Sequence, residues 1–262
     1  MKNLTITIMA AGEGKRMNST IPKVLHLFKG IPMLIRIILE VIKLNPFKII
    51  IVTGKYDLLI KLTLKQYFEK EKILNILNIL NEIIFVKQEN PNGTGDAIRC
   101  TLDNYNNDEN VLILNGDMPL ITFDLLRDFL EDSDLILTKL LVSQLDNPFG
   151  YGRIIYDNED NFIEIKEEKD SSEEEKKIKI INAGIYLFNS TLLKKYIPLI
   201  NNNNNQNEYY LTDIIKIIRS DDLNNKINTY LIKDELKYQI QGVNTQDELK
   251  YLEENYYINI SL

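Results

Sequence analysis

The chain has one cysteine, one histidine and no tryptophan among its 262 residues. A lone Cys100 excludes a disulfide framework and makes a reducing compartment the default. His26 cannot form a zinc site by itself, and it is the only imidazole that could activate the thiol, so a Cys–His nucleophile is a poor reading. The apolar face of a helix is the expected place for Cys100, and core packing for His26. Long apolar runs are also missing. The stretch "IPMLIRIILEVI" carries Arg36 and Glu40 and is too short to span a bilayer. The run after Lys2 is broken by Thr5 and Thr7 and does not read as a signal peptide. The expectation is a cytoplasmic protein with no membrane partner. Positive charge is scarce as well: 31 Lys and Arg against 38 Asp and Glu leave a formal net charge of -7. An acidic surface argues against general nucleic-acid binding. Any polyanion must meet cations concentrated at one place.

What is present suits a sizeable core, since 44% of the residues are hydrophobic. "LTITIM" alternates at period two and predicts a first strand. Leu34, Ile35, Ile38, Val41 and Ile42 recur at helical spacing, with Arg36, Glu40 and Lys43 on the other face. "KIIIVTG" reads as a buried strand, 57–69 as a helix, "IIFV" as a strand, 96–104 as a helix and "VLIL" as a strand. The first half thus alternates strand and helix, the signature of a mostly parallel sheet with helices on both faces. The second half is rich in closely spaced strands: "DLILTKLLV", "GRIIYD", "NFIEIK" and "IKIINAGIYLF". The run "KEEKDSSEEEKKIK" reads mainly as a solvated segment with Glu–Lys pairs four apart, Glu173 with Lys177 and Glu175 with Lys179. "NNNNNQN" predicts an exposed loop before a helix starting near Tyr210, and 245–257 a last helix. With no internal repeat or linker, 1–262 is expected to be a single domain, 1–120 facing mainly a nucleotide and 121–262 mainly a second ligand.

Ligands in such sheets bind beyond the carboxyl ends of the parallel strands. Three features fall there. In "AAGEGKRM", Ala11, Gly12 and Gly14 bring backbone N–H groups towards an anion, and Lys15, Arg16 and Lys23 add charge. The loop fits neither a dinucleotide fingerprint nor a Walker loop. An ordinary tight turn with surface cations explains it equally well. In "LILNGDMPL", Asp117 follows a buried strand and is suited to Mg²⁺, which takes one or two carboxylates plus phosphate oxygens and water; a simple turn aspartate stands beside that reading. In "GVNTQDEL", Asn244 offers a carbonyl, yet Thr245-x-x-Glu248 also spells a capping box, and spacing alone favours the cap. A fourth feature, "NPNGTGDAI", sets Gly93, Thr94 and Gly95 before a helix, where a turn can offer backbone groups to a flat base or simply connect two elements.

The order "AAGEGKRM…IPKVLH…GIPML", "GTGDAI", "NGDMPLI", "PFGYGRI", "EEKDSSEEEKKIKIINAGIYLF", "NEYYLTDII" and "GVNT…EL" closely resembles the uridylyltransferase domain of bacterial N-acetylglucosamine-1-phosphate uridylyltransferases, from about Ile8 to Leu249. Each motif alone is weak; seven in this order are specific. The resemblance implies a Rossmann-like nucleotidyltransferase fold of the α/β class, with a mixed, mostly parallel sheet flanked by helices and a β-rich sugar-binding half. It implies formation of UDP-N-acetylglucosamine and pyrophosphate from UTP and N-acetylglucosamine 1-phosphate, with Mg²⁺. By position, Arg16 and Lys23 match cations on the UTP phosphates, within a nucleotide loop that includes Ala11, Gly12 and Gly14. Asp117 and Asn244 match the metal ligands. Gln88, Gly93 and Thr94 fall where the family reads uracil. Gly152, Glu167, Asn182, Tyr210 and Thr212 match the sugar pocket.

Two departures qualify what the resemblance implies. The family's second glutamine, three residues after the first, is Pro91 here, which weakens the case for uracil selectivity. The bacterial enzymes continue into a left-handed β-helix that acetylates glucosamine 1-phosphate, and no hexapeptide repeat occurs in this sequence. The expectation is therefore no acetyl-CoA site, and a monomer or dimer instead of the bacterial trimer. The alternatives are a sister nucleotidyltransferase using another nucleotide or sugar, or a non-catalytic sugar-nucleotide-binding protein.

Overall fold

The computed structural model describes residues 3–71, 83–131, 137–159, 161–221 and 227–260. The strands are β1 (Leu4–Met9), β2 (Leu27–Phe28), β3 (Ile31–Pro32), β4 (Lys48–Thr53), β5 (Ile83–Lys87), β6 (Asn110–Asn115), β7 (Thr138–Gln144), β8 (Arg153–Tyr156), β9 (Phe162–Lys166), β10 (Ile180–Asn189) and β11 (Asn228–Leu231). The helices are α1 (Met33–Val41), α2 (Asp57–Lys70), α3 (Thr94–Arg99), α4 (Phe123–Leu130), α5 (Ser190–Tyr196), α6 (Asp213–Asp221) and α7 (Gln246–Ile260). Among the described residues one mixed sheet runs β11-β7-β10-β6-β1-β4-β5, with β8 and β9 added alongside β10. β5, β4, β1 and β6 are parallel, and β10 runs antiparallel between β6 and β7.

Both faces of the central strands are buried. Leu112 and Leu114 of β6 join Ile6 and Ile8 in one core cluster, while their neighbours Val111 and Ile113 join Ile50 in another. Adjacent residues point to opposite faces, so both faces must be covered by helices, as a parallel sheet requires. α1 covers the first face with Leu34, Ile35, Ile37, Ile38 and Val41, and α6 covers the second with Ile214, Ile215 and Ile218. Each such side chain contributes roughly 1.5–3 kcal/mol on burial. α4 begins where the Thr122 hydroxyl accepts the Leu125 N–H at 3.3 Å.

The topology collects one edge. β1, β4, β5 and β6 end together, in register at Met9 with Val52 and Asn115, and at Thr53 with Lys87. The start of β10 lies at that edge because it is antiparallel to β6, and so do the ends of β7 and β11. The glycine loop, Gln88, Asp117, Asn182 and the chain leading to Asn244 all leave the sheet there.

Three local expectations need correction. Cys100 is exposed, because α3 turns Ala97 and Ile98 inward and ends at Arg99. The Glu–Lys pairs are three apart, Glu173 with Lys176 and Glu174 with Lys177, both at 2.7 Å. The segment is wound in a 3₁₀ turn, which brings i and i+3 together; Lys179 pairs with Asp146 instead. α6 begins at Asp213 instead of Tyr210, since 210–212 are engaged by other segments. The asparagine run is the exposed loop expected, with Asn201, Asn203, Asn205 and Asn207 exposed; Asn205 donates its side-chain amide to Lys169 O at 2.7 Å, and Asn204 to Glu208 O at 2.6 Å. In "DLILTKLLV" the strand is seen from Thr138; residues 134–136 lie outside the described residues.

Glu109, only 1% exposed and just before β6, meets Lys48 at the start of β4 at 3.2 Å, with β1 lying between the two strands. Glu109→Ala leaves the lysine without its counter-charge and is expected to cost about 3 kcal/mol. Urea unfolding of the two proteins measures this; coincident midpoints would show that the pair contributes nothing.

Candidate active site

The glycine loop follows β1. Ala10 N–H donates to Val52 O at 2.8 Å, and Gly54 packs so closely that a Cβ there would lie 2.7 Å from Ala11 O. Gly12 has open space beside it, the room an incoming anion needs. Gly14 has φ +63°, and a Cβ there would lie 2.7 Å from the Lys23 Cβ. The glycine therefore serves both the left-handed turn and the seating of the lysine. A 3₁₀ turn at Lys15–Met17 carries Arg16, and a second at Lys23–Leu25 carries Lys23. Lys15 is turned aside: Glu13 pairs with it at 3.1 Å and with Lys55 at 2.9 Å. These two lysines, Lys55 first, hold the Glu13 carboxyl below its ordinary range.

Three remote segments meet at Lys23. Its ammonium pairs with Asp117 Oδ2 and donates to Asn244 Oδ1 at 3.0 Å. Arg16 Nη2 donates to the same Asn244 oxygen at 2.9 Å. Asp117 and Asn244 are locked from behind. Val243 N–H donates to Asp117 O at 2.9 Å, and Asn244 N–H donates to Glu248 Oε2 at 2.6 Å. Thr245 caps α7 by accepting the Glu248 N–H at 3.1 Å. Thr245 is the cap, which leaves Asn244 to turn its side-chain carbonyl towards Arg16 and Lys23.

The donor set fits a magnesium ion. A carboxylate and an amide oxygen already converge on one cationic group, and Mg²⁺ takes its remaining ligands from phosphates and water. Among the described residues no group of three His, Cys, Asp or Glu could hold a metal by itself.

Gln88 is 5% exposed at the end of β5. Its Nε2 donates to Gly93 O at 3.1 Å and to Asp96 Oδ2 at 2.9 Å, which leaves Oε1 without a partner among the described residues. The turn before α3 docks on 209–211. Gly93, with φ +109°, would place a Cβ 2.6 Å from Tyr209 O; Gly95 N–H donates to Tyr209 O at 2.7 Å; the Thr94 hydroxyl accepts the Leu211 N–H at 3.0 Å. This contact joins "GTGDAI" to "NEYYLTDII", which are far apart in sequence.

The second cluster gathers the other five expected residues. Glu167 Oε1 accepts from the Thr212 hydroxyl at 2.8 Å, and a Cβ on Gly152 would sit 3.6 Å from the same carboxylate. Burial lifts the Glu167 carboxyl above its ordinary value of 4.5, and Asp213, Asp170 and Glu208 add to the shift. Asn182 N–H donates to Gly152 O at 2.9 Å. Its side chain accepts the Gly184 N–H at 3.1 Å and donates to the Tyr186 hydroxyl at 2.6 Å. Tyr210 accepts from Gln206 Nε2 at 2.8 Å, and burial pushes its hydroxyl up to about 12.

Several contributors escape a reading of the sequence. Gly54 seats the glycine loop, Lys55 holds Glu13, Gln206 orients Tyr210, and Tyr186 fixes Asn182. Arg153, 1% exposed, binds Glu168 at 2.6 Å and the carbonyls of Tyr151 and Lys176, tying together the loops around Gly152 and Glu167. An arginine directly after "GYG" was the one available signal.

A family model described as the MobA-like NTP transferase domain matches residues 6–151. The chain belongs to this family of nucleotidyltransferases. Within it, a protein of Acanthamoeba polyphaga mimivirus, described as a probable UDP-N-acetylglucosamine pyrophosphorylase, is 44% identical over 253 residues, covering 95% of both chains. The bifunctional protein GlmU of Buchnera aphidicola is 40% identical over 97% of this chain, and the match spans 52% of the GlmU length. The chain thus spans about half the length of its bifunctional relatives. A solved UDP-glucose pyrophosphorylase superimposes with a TM-score of 0.75 at 18% identity, covering 98% of this chain and 99% of that one. That likeness supports the nucleotidyltransferase fold. Among the described residues no helix is long and apolar enough to cross a membrane.

The buried Glu167 gives a pH test. Its folded-state pKa is raised, so its contribution to stability is fully present below the ordinary carboxyl value and is lost as pH rises through the folded value. Glu167→Gln does not titrate. The variant is expected to gain on the wild type in Tm as pH rises above the ordinary carboxyl value of 4.5; parallel curves would contradict the shift.

Proposed function

We propose that the chain is a uridylyltransferase that makes UDP-N-acetylglucosamine and pyrophosphate from UTP and N-acetylglucosamine 1-phosphate. The observation that carries this reading is the junction of Arg16, Lys23, Asp117 and Asn244 beside a glycine loop with open space at Gly12, together with the Gly152–Glu167–Thr212 cluster. The mimivirus relative described as a probable UDP-N-acetylglucosamine pyrophosphorylase supports it. A phosphate oxygen of the sugar phosphate attacks the α-phosphorus of UTP in line. The bond from that phosphorus to the bridging oxygen breaks, and pyrophosphate leaves with the electron pair.

Both reactants are anions, so positioning and charge neutralisation carry the catalysis. Backbone N–H groups of 11–14 receive the nucleotide phosphates. Arg16 and Lys23 balance the charge that grows on the leaving pyrophosphate. A magnesium ion on Asp117 and Asn244 would supply further positive charge between the two reactants. The Gln88 carbonyl accepts the uracil N–H. Selectivity for the base rests on that oxygen and on backbone groups near Gly93, because Pro91 has no amide. Glu167 receives a sugar hydroxyl or the acetamido N–H, and the remaining Asn182 N–H reaches the acetamido carbonyl. We further take 1–262 as one working unit, with nucleotide and sugar held on the two sides of Asp117.

A pyrophosphate-release panel tests the proposal, crossing UTP, dTTP and CTP with N-acetylglucosamine, glucose and galactosamine 1-phosphates. UTP with N-acetylglucosamine 1-phosphate is expected to turn over fastest; sugar-nucleotide binding without release would favour a non-catalytic protein. Lys23→Ala and Arg16→Ala are each expected to lower turnover by roughly 10²–10³, and near-wild-type rates in both would remove them from the mechanism.

A further inference from the structure

The residues proposed to hold the metal are already in contact with a cation of the chain. The Lys23 ammonium pairs with Asp117 and donates to Asn244 Oδ1 at 3.0 Å, with the lysine and aspartate side chains only 15% and 17% exposed. A group there occupies the position between the two oxygens that a divalent ion would need. We infer that Lys23 is the placeholder for the divalent cation: in the free protein its ammonium closes the metal site, and the site opens when incoming phosphates draw the lysine away. This inference rests on the proposed reading of Asp117 and Asn244 as metal ligands.

The surrounding bonds say which partner moves. Asp117 is anchored by its carbonyl, which accepts the Val243 N–H, and Asn244 by its N–H, which Glu248 accepts. These bonds fix the backbone behind both oxygens. The root of Lys23 is fixed too, since its Cβ packs against Gly14. What remains free to swing is the four-carbon stem with its ammonium. Two of its three N–H groups are used on Asp117 and Asn244, and the third has no partner among the described residues. A phosphate oxygen can take that third N–H before the other two are released. Once the ammonium transfers to phosphate, Asp117 loses its counter-charge and becomes a strong site for a divalent ion. Competition for a largely buried carboxylate is costly to both cations, because the pair is shielded from solvent screening. The free protein is therefore a poor divalent-ion binder, and a cation enters readily only alongside a nucleotide.

Mn²⁺ serves as the probe, with free ion counted by electron paramagnetic resonance during titration of the nucleotide-free protein. Lys23→Met keeps the apolar stem and removes the charge; it is expected to bind Mn²⁺ at least about tenfold more tightly than wild type. Lys23→Arg keeps a cation at the site and is expected to stay weak. Adding Asp117→Asn to Lys23→Met is expected to abolish the gain. Equal affinity in wild type and Lys23→Met, or no binding by either, overturns the placeholder while leaving the proposed reaction intact. A gain that survives Asp117→Asn puts the cation elsewhere and overturns both this inference and the proposed metal ligands. Circular dichroism of each variant shows whether it is folded.

Discussion

The ion pair between Lys23 and Asp117, with Asn244 hydrogen-bonded to the same ammonium, is the contact around which the site is arranged. It joins chain segments 94 and 221 residues apart. β1 and β6 are parallel neighbours, so the glycine loop and Asp117 leave the sheet side by side. Asn244 arrives from the far end of the chain, and a small core holds it there. Met17, Phe28, Met33 and Leu120 pack with Val243 and Leu252. Gln246 donates to Met17 O at 2.8 Å, and Glu253 accepts the Lys29 N–H at 2.6 Å. The last helix is thus a clamp on the glycine loop, and its packing decides where one proposed metal ligand stands.

A second junction couples the two ligand-facing regions. Gly93, Thr94 and Gly95 lie against the backbone of 209–211, so close that a Cβ on either glycine would collide with Tyr209. The next residue, Thr212, holds the Glu167 carboxylate. A turn proposed to meet the base is therefore one residue removed from a group proposed to meet the sugar. This close approach explains the two glycines in "GTGDAI" independently of any ligand. It also gives Gln88, which is bonded to Gly93 O, a mechanical connection to the sugar side.

The order of elements was legible because it rests on local pattern. "LTITIM", "KIIIVTG" and "VLIL" are strands within one or two residues of where periodicity puts them, and α1 buries the face its spacing predicts. Motif order also brought out the residues that the structure gathers at one edge. Partnerships were not legible, because they depend on long-range geometry. Nothing in the spacing shows that Asn182 would satisfy its amide through Gly184 and Tyr186, or that Lys55 would reach Glu13. The charged run misled for a related reason: its pairs follow a 3₁₀ turn, which composition does not distinguish from an α-helix. Cys100 was misplaced because α3 is short and ends just before it. The start of α6 was misplaced because Leu211 and Thr212 form a turn that is tied to Thr94 and Glu167 before the helix begins.

The most direct measurement of the central claim is the anomalous scattering of manganese in crystals grown with Mn²⁺ and UDP-N-acetylglucosamine. The account predicts one manganese peak bound by the Asp117 carboxylate and the Asn244 side-chain oxygen, with the Lys23 ammonium moved from Asp117 to a phosphate oxygen. A manganese peak away from these two residues, with the Lys23–Asp117 pair still closed over a bound sugar nucleotide, would contradict it.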